Sequence, residues 1–228
     1  MVDLMKQRKA AAAVMLAAFF ACGCSGPYLR TMAFSPETNS IYVAEDGTIS
    51  SAMVEEYESG DVRQDELWAF VTNEVALFNE QLGASGSAQN EKGKEALPVS
   101  VESCTAADGK MTAVYAYRDS SCFLQFSENY YGTSFRPTAF ETAEVEEGRQ
   151  QGWLDGGELM KPGKGREPAA AGAQELEKLD KGRVVRIETE NPLEIQTEGA
   201  IRYMSKGVVL SKRNTAQVPA GTYYLIFW

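Results

Sequence analysis

The chain has 228 residues, with 22 Lys and Arg against 32 Asp and Glu, four Cys and no His. Without an imidazole there is no Ser-His or Cys-His nucleophile pair, no His-ligated zinc and no His-centred pH switch. A net charge of −10 opposes the phosphates of nucleic acid, and a hydrophobic fraction of 44% is that of an ordinary globular chain, long enough for one large or two small domains.

The first element is a basic stretch, Lys6-Gln7-Arg8-Lys9, followed by an apolar run from Ala10 to Ala21 and then Cys22-Gly23-Cys24. A basic segment before a dozen apolar residues is the layout of a secretory signal, and the run is shorter than the ~20 residues that span a bilayer. Its end resembles a bacterial lipobox, in which small residues precede a Cys that is lipidated and becomes the mature N-terminus. On that resemblance Cys24 is the lipidated residue, Gly23 the cleavage position, and Ala21 stands where Leu is usual. Cys22 is a poorer site, because bulky Phe20 precedes its small neighbour Ala21. Residues 1–23 are therefore expected to be a signal peptide. Palmitate-like acyl chains on Cys24 would anchor the protein to the extracytoplasmic face of the cell membrane, each buried CH₂ adding ~0.8 kcal/mol. Three basic residues and one acidic residue lie in 1–23, so their removal takes the net charge from −10 to −12. Anionic headgroups repel such a body, and the polar residues 24–39 read as its tether.

Residues 40–155 read as an α+β domain. Ile41-Tyr-Val43 and Ile49 to Val54 flank Asp46-Gly47, and Val99 to Val101 and Met111 to Tyr117 flank Asp108-Gly109, which predicts two Asp-Gly β-hairpins. Between them the spacing of Leu67, Val71, Val75, Phe78 and Leu82 predicts a helix over 63–82, capped by Asp61 with Gln64 three residues on and stopped by Gly83. Phe70, Leu77 and Trp68 widen its apolar arc, and covering a sheet made of the two hairpins is the natural use of that face. Ser120 is read as the cap of a short helix carrying Cys122, Phe123, Leu124 and Phe126, and Thr142 as the cap of another over 143–151. The Gly- and Pro-rich residues 156–178 read as a linker or long loop. Residues 179–228 form a β-rich C-terminal region, read as a small meander of strands at 184–187, 193–195, 201–203, 208–210 and 223–228.

Outside the signal region the only thiols are Cys104 and Cys122. A pair in an exported domain is consistent with a disulfide worth ~3 kcal/mol in the chain-entropy model; two buried free thiols are the alternative, since Cys packs as a small hydrophobe.

The order of parts carries a family resemblance. A lipobox, Ser40-Ile-Tyr-Val-Ala-Glu-Asp-Gly-Thr-Ile49, an acidic amphipathic helix, a second Asp-Gly hairpin, Thr142-Ala-Glu-Val-Glu-Glu147 and a β-rich tail resemble a group of surface lipoproteins from Gram-positive, clostridia-like bacteria. The resemblance implies the extracytoplasmic location and an α+β fold. The group has no established activity, so it implies no catalytic residues.

No SxxK, GxSxG or phosphate-loop pattern occurs, no metal-ligand spacing is found, and no cofactor is expected. Glu55-Glu56, Asp65-Glu66 and Glu146-Glu147 read as solvated acidic faces. Glu74 is the polar residue that falls inside the helix's apolar arc, either forced against the core or at the arc's rim in reach of water. Asn129-Tyr130-Tyr131-Gly132 is the other candidate: Tyr130 and Tyr131 either stack on a sugar or peptide group or fill a seam between sheet and helix. These features predict a non-enzymatic lipoprotein acting by binding, or by supporting an envelope assembly, with an extracytoplasmic protein or glycan as partner. The alternative is an envelope hydrolase acting on glycan or peptidoglycan, which needs two carboxylates ~5–9.5 Å apart in a cleft. A third reading, solute capture for a transporter, requires two lobes of similar size.

Overall fold

The two Asp-Gly hairpins form and pair with each other. In the computed structural model, which describes residues 34, 36–57, 63–131, 135–155, 158–163 and 167–228, strands β1 (Ser40–Val43) and β2 (Ile49–Glu56) make the first hairpin. Strands β3 (Val99–Ala107) and β4 (Lys110–Tyr117) make the second, with Asp108 at φ 53° and Gly109 at φ 75° in a two-residue turn. Both central residues at positive φ give the turn a twist that matches the strands it joins. β2 then pairs with β4 from Ile49↔Tyr117 to Glu56↔Lys110, so the two hairpins become one sheet. The signal peptide, Cys24, most of the tether, Asp61 and Gly132 lie outside the described residues.

Sheet 1 is completed by strands from far along the chain. β9 (Leu193–Thr197) runs parallel to β1, β12 (Thr215–Val218) pairs with β9, and β11 (Val209–Lys212) forms the edge, giving the order β11-β12-β9-β1-β2-β4-β3. Sheet 2 has the order β5-β8-β13-β10-β6-β7, from β5 (Pro137–Glu144), β8 (Arg183–Thr189), β13 (Gly221–Phe227), β10 (Ile201–Ser205), β6 (Leu159–Lys161) and β7 (Ala169–Ala170). The β-rich C-terminal region is present, but its strands do not stay together as a meander: β8, β10 and β13 belong to sheet 2, and β9, β11 and β12 to sheet 1. Three residues suffice to carry the chain from β8 to β9, and the alternation of side chains is the same whichever sheet receives the next strand.

One core is shared by both sheets. Ile41, Ile195, Val185, Ile187, Leu225, Phe227 and Phe140 belong to it, while Val184 and Ile226 face a second, smaller core with Val145, Trp153 and Leu159. Neighbours in β8 and β13 thus point to opposite sides, as period-2 strands covered on both faces require. Arg183, whose side chain is 12% exposed, ties the sheets: its Nε donates to the Glu45 carbonyl in the β1–β2 turn at 3.0 Å, and its other nitrogens reach Thr142 and Glu144 on β5. A Cβ on Gly47 would lie 2.7 Å from that guanidinium, and Gly47 has φ 90°, so the glycine of the first turn meets both a conformational and a steric demand.

Helix α1 (Gln64–Gln81) covers the β3 edge of sheet 1. Its span agrees with the periodicity, and Val71, Val75 and Phe78 are buried. Arg63 precedes it without a side-chain cap. Gln64 instead donates to the Cys104 carbonyl (2.8 Å) and accepts from the Ala106 amide (2.7 Å). At the other end Asn79, 0% exposed, donates to the Val99 carbonyl (2.8 Å) and the Ser87 carbonyl (2.8 Å) and accepts from the Val99 amide (3.0 Å). Two side-chain amides therefore satisfy backbone groups that an edge strand leaves open. The spacing fits: Gln64 and Asn79 are about 22 Å apart along the helix, and Val99 to Thr105 spans about 20 Å of strand.

Three local readings change. α2 (Ser120–Tyr130) is capped by Asp119, whose side chain accepts from the Cys122 amide at 2.8 Å, and not by Ser120. Thr142 lies within β5, and α3 (Val145–Gln150) starts after that strand, because residues 137–144 pair along β8. Within 156–178 the described residues include β6, β7 and α4 (Ala173–Glu177), held by Glu175, which accepts from Tyr203 Oη and Lys161 Nζ, both at 2.8 Å.

Candidate functional site

Alternation in the first four strands builds the floor of a groove. Met53 and Glu55 on β2 and Met111, Ala113 and Tyr115 on β4 share one face of sheet 1, fixed by the pairs Met53↔Ala113 and Glu55↔Met111. α1 lays Leu67, Phe70, Val71 and Glu74 along one side, and Phe126 and Tyr130 of α2 close the other. The resulting groove has a volume of about 290 Å³. Glu74 and Tyr130, isolated from the sequence for separate reasons, meet here: both are half-buried, and Tyr130 Oη donates to the Glu74 carbonyl at a long 3.5 Å.

The groove is electrically one-sided. Among the described residues two carboxylates line it, Glu55 and Glu74, and no Lys or Arg does. Neither carboxylate has an ion-pair partner among the described residues. Their charge is felt by the phenols: burial, then Tyr131, Cys104, Glu74 and Glu55, push Tyr115 well above the ordinary tyrosine range, and burial followed by Glu74 raises Tyr130. Tyr130 also stacks on Phe126 at 4.5 Å between ring centroids, which fixes its orientation at the rim.

Tyr131 is not part of this surface. It is buried, and its hydroxyl closes a ring with Ser51 and Tyr117: Ser51 Oγ lies 2.7 Å from Tyr117 Oη, Tyr117 Oη lies 2.6 Å from Tyr131 Oη, and Tyr131 bonds Ser51 in turn. Three hydroxyls in a ring can each donate once and accept once, so burial leaves none unpaired. The neighbouring residues part because Tyr130 ends α2 facing α1, whereas Tyr131 turns into the sheet as the helix stops.

Cys104 and Cys122 are free and buried, so the structure holds two thiols where a disulfide was the other expectation. Cys104 faces the core under α1, while Cys122 sits in the first turn of α2 beside Arg118 and the capping Asp119. Burial and Asp119 push the Cys122 thiol up to about 11, and burial raises Cys104, so neither is a thiolate nucleophile near neutral pH.

A second concavity of about 590 Å³ opens at the far ends of β2 and β9, lined by Glu37, Glu56, Lys110, Glu194 and Gln217 among others. Of its carboxylates, Glu194 is hydrogen-bonded within the protein. Glu194 accepts from Thr38 (3.2 Å) and Gln217 (2.7 Å), Glu56 lies opposite Lys110 in the β2–β4 register, and Lys110 donates to the Glu37 carbonyl. Among the described residues no group of three or more Cys, Asp or Glu is placed to hold a metal ion, and no helix is long and apolar enough to cross a membrane.

Met53, Met111, Tyr115 and Phe126 escaped identification from sequence, and Glu55 read as part of a solvated pair. The signal was present as period-2 alternation in two predicted strands, but which alternate face lies under a helix depends on strand pairing. No protein-family model matches the chain, and neither does any curated protein or solved structure.

Proposed function

We propose that the protein is a lipid-anchored extracytoplasmic lipoprotein, held to the membrane through acyl chains on Cys24, whose body binds a partner at the α1 groove without catalysing a reaction. The tether is supported by the basic segment, apolar run and small residues before Cys24. Binding rests on one observation: Glu74 and Tyr130, brought from two helices, line a half-enclosed apolar groove whose carboxylates lack counter-ions among the described residues. Two experiments test the parts separately. Cys24→Ala is expected to abolish palmitate incorporation and release the protein from the membrane fraction, and a variant that stays acylated and membrane-bound refutes the assignment. Crosslinking in intact envelopes is expected to capture a protein or glycan that the Phe70→Asp variant no longer captures. Equal capture by both removes the groove from the interaction.

One feature favours the hydrolase reading: Glu55 and Glu74 line the same cleft. Against it, the remaining lining among the described residues is Met, Leu, Val, Ala and aromatic residues, with no side-chain amide to hold sugar hydroxyls. Release of soluble fragments from peptidoglycan that disappears in both Glu55→Gln and Glu74→Gln establishes the hydrolase and refutes the binding role.

A further inference from the structure

We infer that the α1 groove receives an organic ammonium group of its partner, a protonated amine on a small apolar body. The inference rests on the groove being a binding site and names its ligand class. Charge selects the cation. Glu55, on the β2 floor, and Glu74, on the α1 wall, both line the groove, and among the described residues no basic side chain does. A neutral or anionic occupant would strip water from the half-buried Glu74 carboxylate and supply no counter-charge, which is the costly arrangement for a partly buried acid, while exposed Glu55 adds negative charge at the groove's edge. An ammonium ion offers charge and three N–H donors at once, and the aromatic lining adds to the attraction for a cation.

Shape selects a small apolar body. At about 290 Å³ the groove sits at the low end of ligand sites. It has about twice the ~150 Å³ that suffices for benzene. Met53 and Met111 on the floor are flexible, polarisable side chains that mould to an apolar guest. Phe70, 65% exposed at the rim, is a large apolar side chain left in water that a seated guest would cover.

The test uses the full chain, labelled with ¹³C at the methionine methyls, in nanodiscs of zwitterionic phosphatidylcholine that add no surface charge. Three probes of matched size are titrated: phenylbutylammonium, neutral phenylbutanol and anionic phenylbutyrate. The Met53 and Met111 methyls are expected to shift saturably with phenylbutylammonium, with an affinity about tenfold above that for phenylbutanol, and not with phenylbutyrate. Glu55→Gln and Glu74→Gln should each weaken the ammonium probe about fivefold and leave phenylbutanol unchanged. Unmoved Met160 and Met204 methyls in sheet 2 show that these variants remain folded. Equal binding of the three probes, or an ammonium affinity indifferent to both substitutions, overturns the ligand class while the groove remains a binding site. The absence of any Met53 or Met111 shift with all three probes overturns the ligand class and the binding site together.

Discussion

Asn79→Ala is the most severe single test of how the helix and sheet are joined. The amide is 0% exposed and makes three hydrogen bonds, two donated to the carbonyls of Ser87 and Val99 and one accepted from the Val99 amide. Removing it leaves three backbone groups without that partner: the amide and carbonyl of Val99 at the β3 edge under α1, and the part-buried Ser87 carbonyl in the loop after the helix. Each lost bond costs ~1 kcal/mol net, and each orphaned buried group adds to that, so the loss sums to ~3–4 kcal/mol. The better helix propensity of Ala returns only ~0.5 kcal/mol. A net ~3 kcal/mol is a large share of the ~5–15 kcal/mol that holds a domain together. With a urea dependence of ~2 kcal/mol per molar, the midpoint should fall by ~1.5 M at unchanged slope. Circular dichroism of wild type and variant in urea measures it. A midpoint shift below ~0.3 M would refute the reasoning, because it would mean that water or a relaxed backbone satisfies the β3 edge without Asn79.

Three further outcomes follow from the packing. Gly148→Ala should destabilise by ~2 kcal/mol although Ala favours a helix, because the new methyl would lie 2.3 Å from Val184 Cγ1; Gly148→Ala with Val184→Ala should regain part of the loss in thermal melts, and a stabilised single variant would contradict the close approach. In the Ser51–Tyr117–Tyr131 ring, Tyr131→Phe should cost ~1–2 kcal/mol, yet the triple change Ser51→Ala, Tyr117→Phe, Tyr131→Phe should lose less than the sum of its parts, since no buried hydroxyl is then left unpaired; additive losses in denaturant titrations would refute a cooperative ring. Cys122 titrates near 11 in the folded protein against an ordinary 9.0, so its neutral thiol contributes stability in full below pH 9 and loses that contribution as pH rises through about 11. Wild type should therefore lose more stability than Cys122→Ala across that window, with thiolate absorbance rising near pH 11, and thiolate formation at pH 9 in the folded protein would refute the burial argument.

The amphipathic helix illustrates what local pattern carries and where it stops. Val71, Val75 and Phe78 are buried as their spacing requires, but Phe70 and Leu77 at the side of the same arc are exposed, at 65% and 45%. Periodicity gives the direction of the apolar face, and only the width of the covered surface decides how far round the helix burial extends. Asn79 makes the converse point. It lies on the flank of the arc beside Val75 and carries no sequence signal of its own, yet it is more deeply buried than Leu67 or Leu82.

The local elements are legible in the sequence: the turns at Asp46-Gly47 and Asp108-Gly109, the span of α1, the apolar strands of the tail and the absence of any histidine chemistry. Each depends on interactions between residues a few positions apart, which composition and period reveal. Only the tertiary pairing settles that β9 and β12 complete sheet 1 while β8 and β13 build sheet 2, that Tyr131 enters the core while Tyr130 faces a groove, and that Glu55 lines the same groove as Glu74. These pairings are long-range. A strand's alternation is the same whichever partner it finds, so the choice is made by the shared core and by the backbone groups that the finished sheets must satisfy.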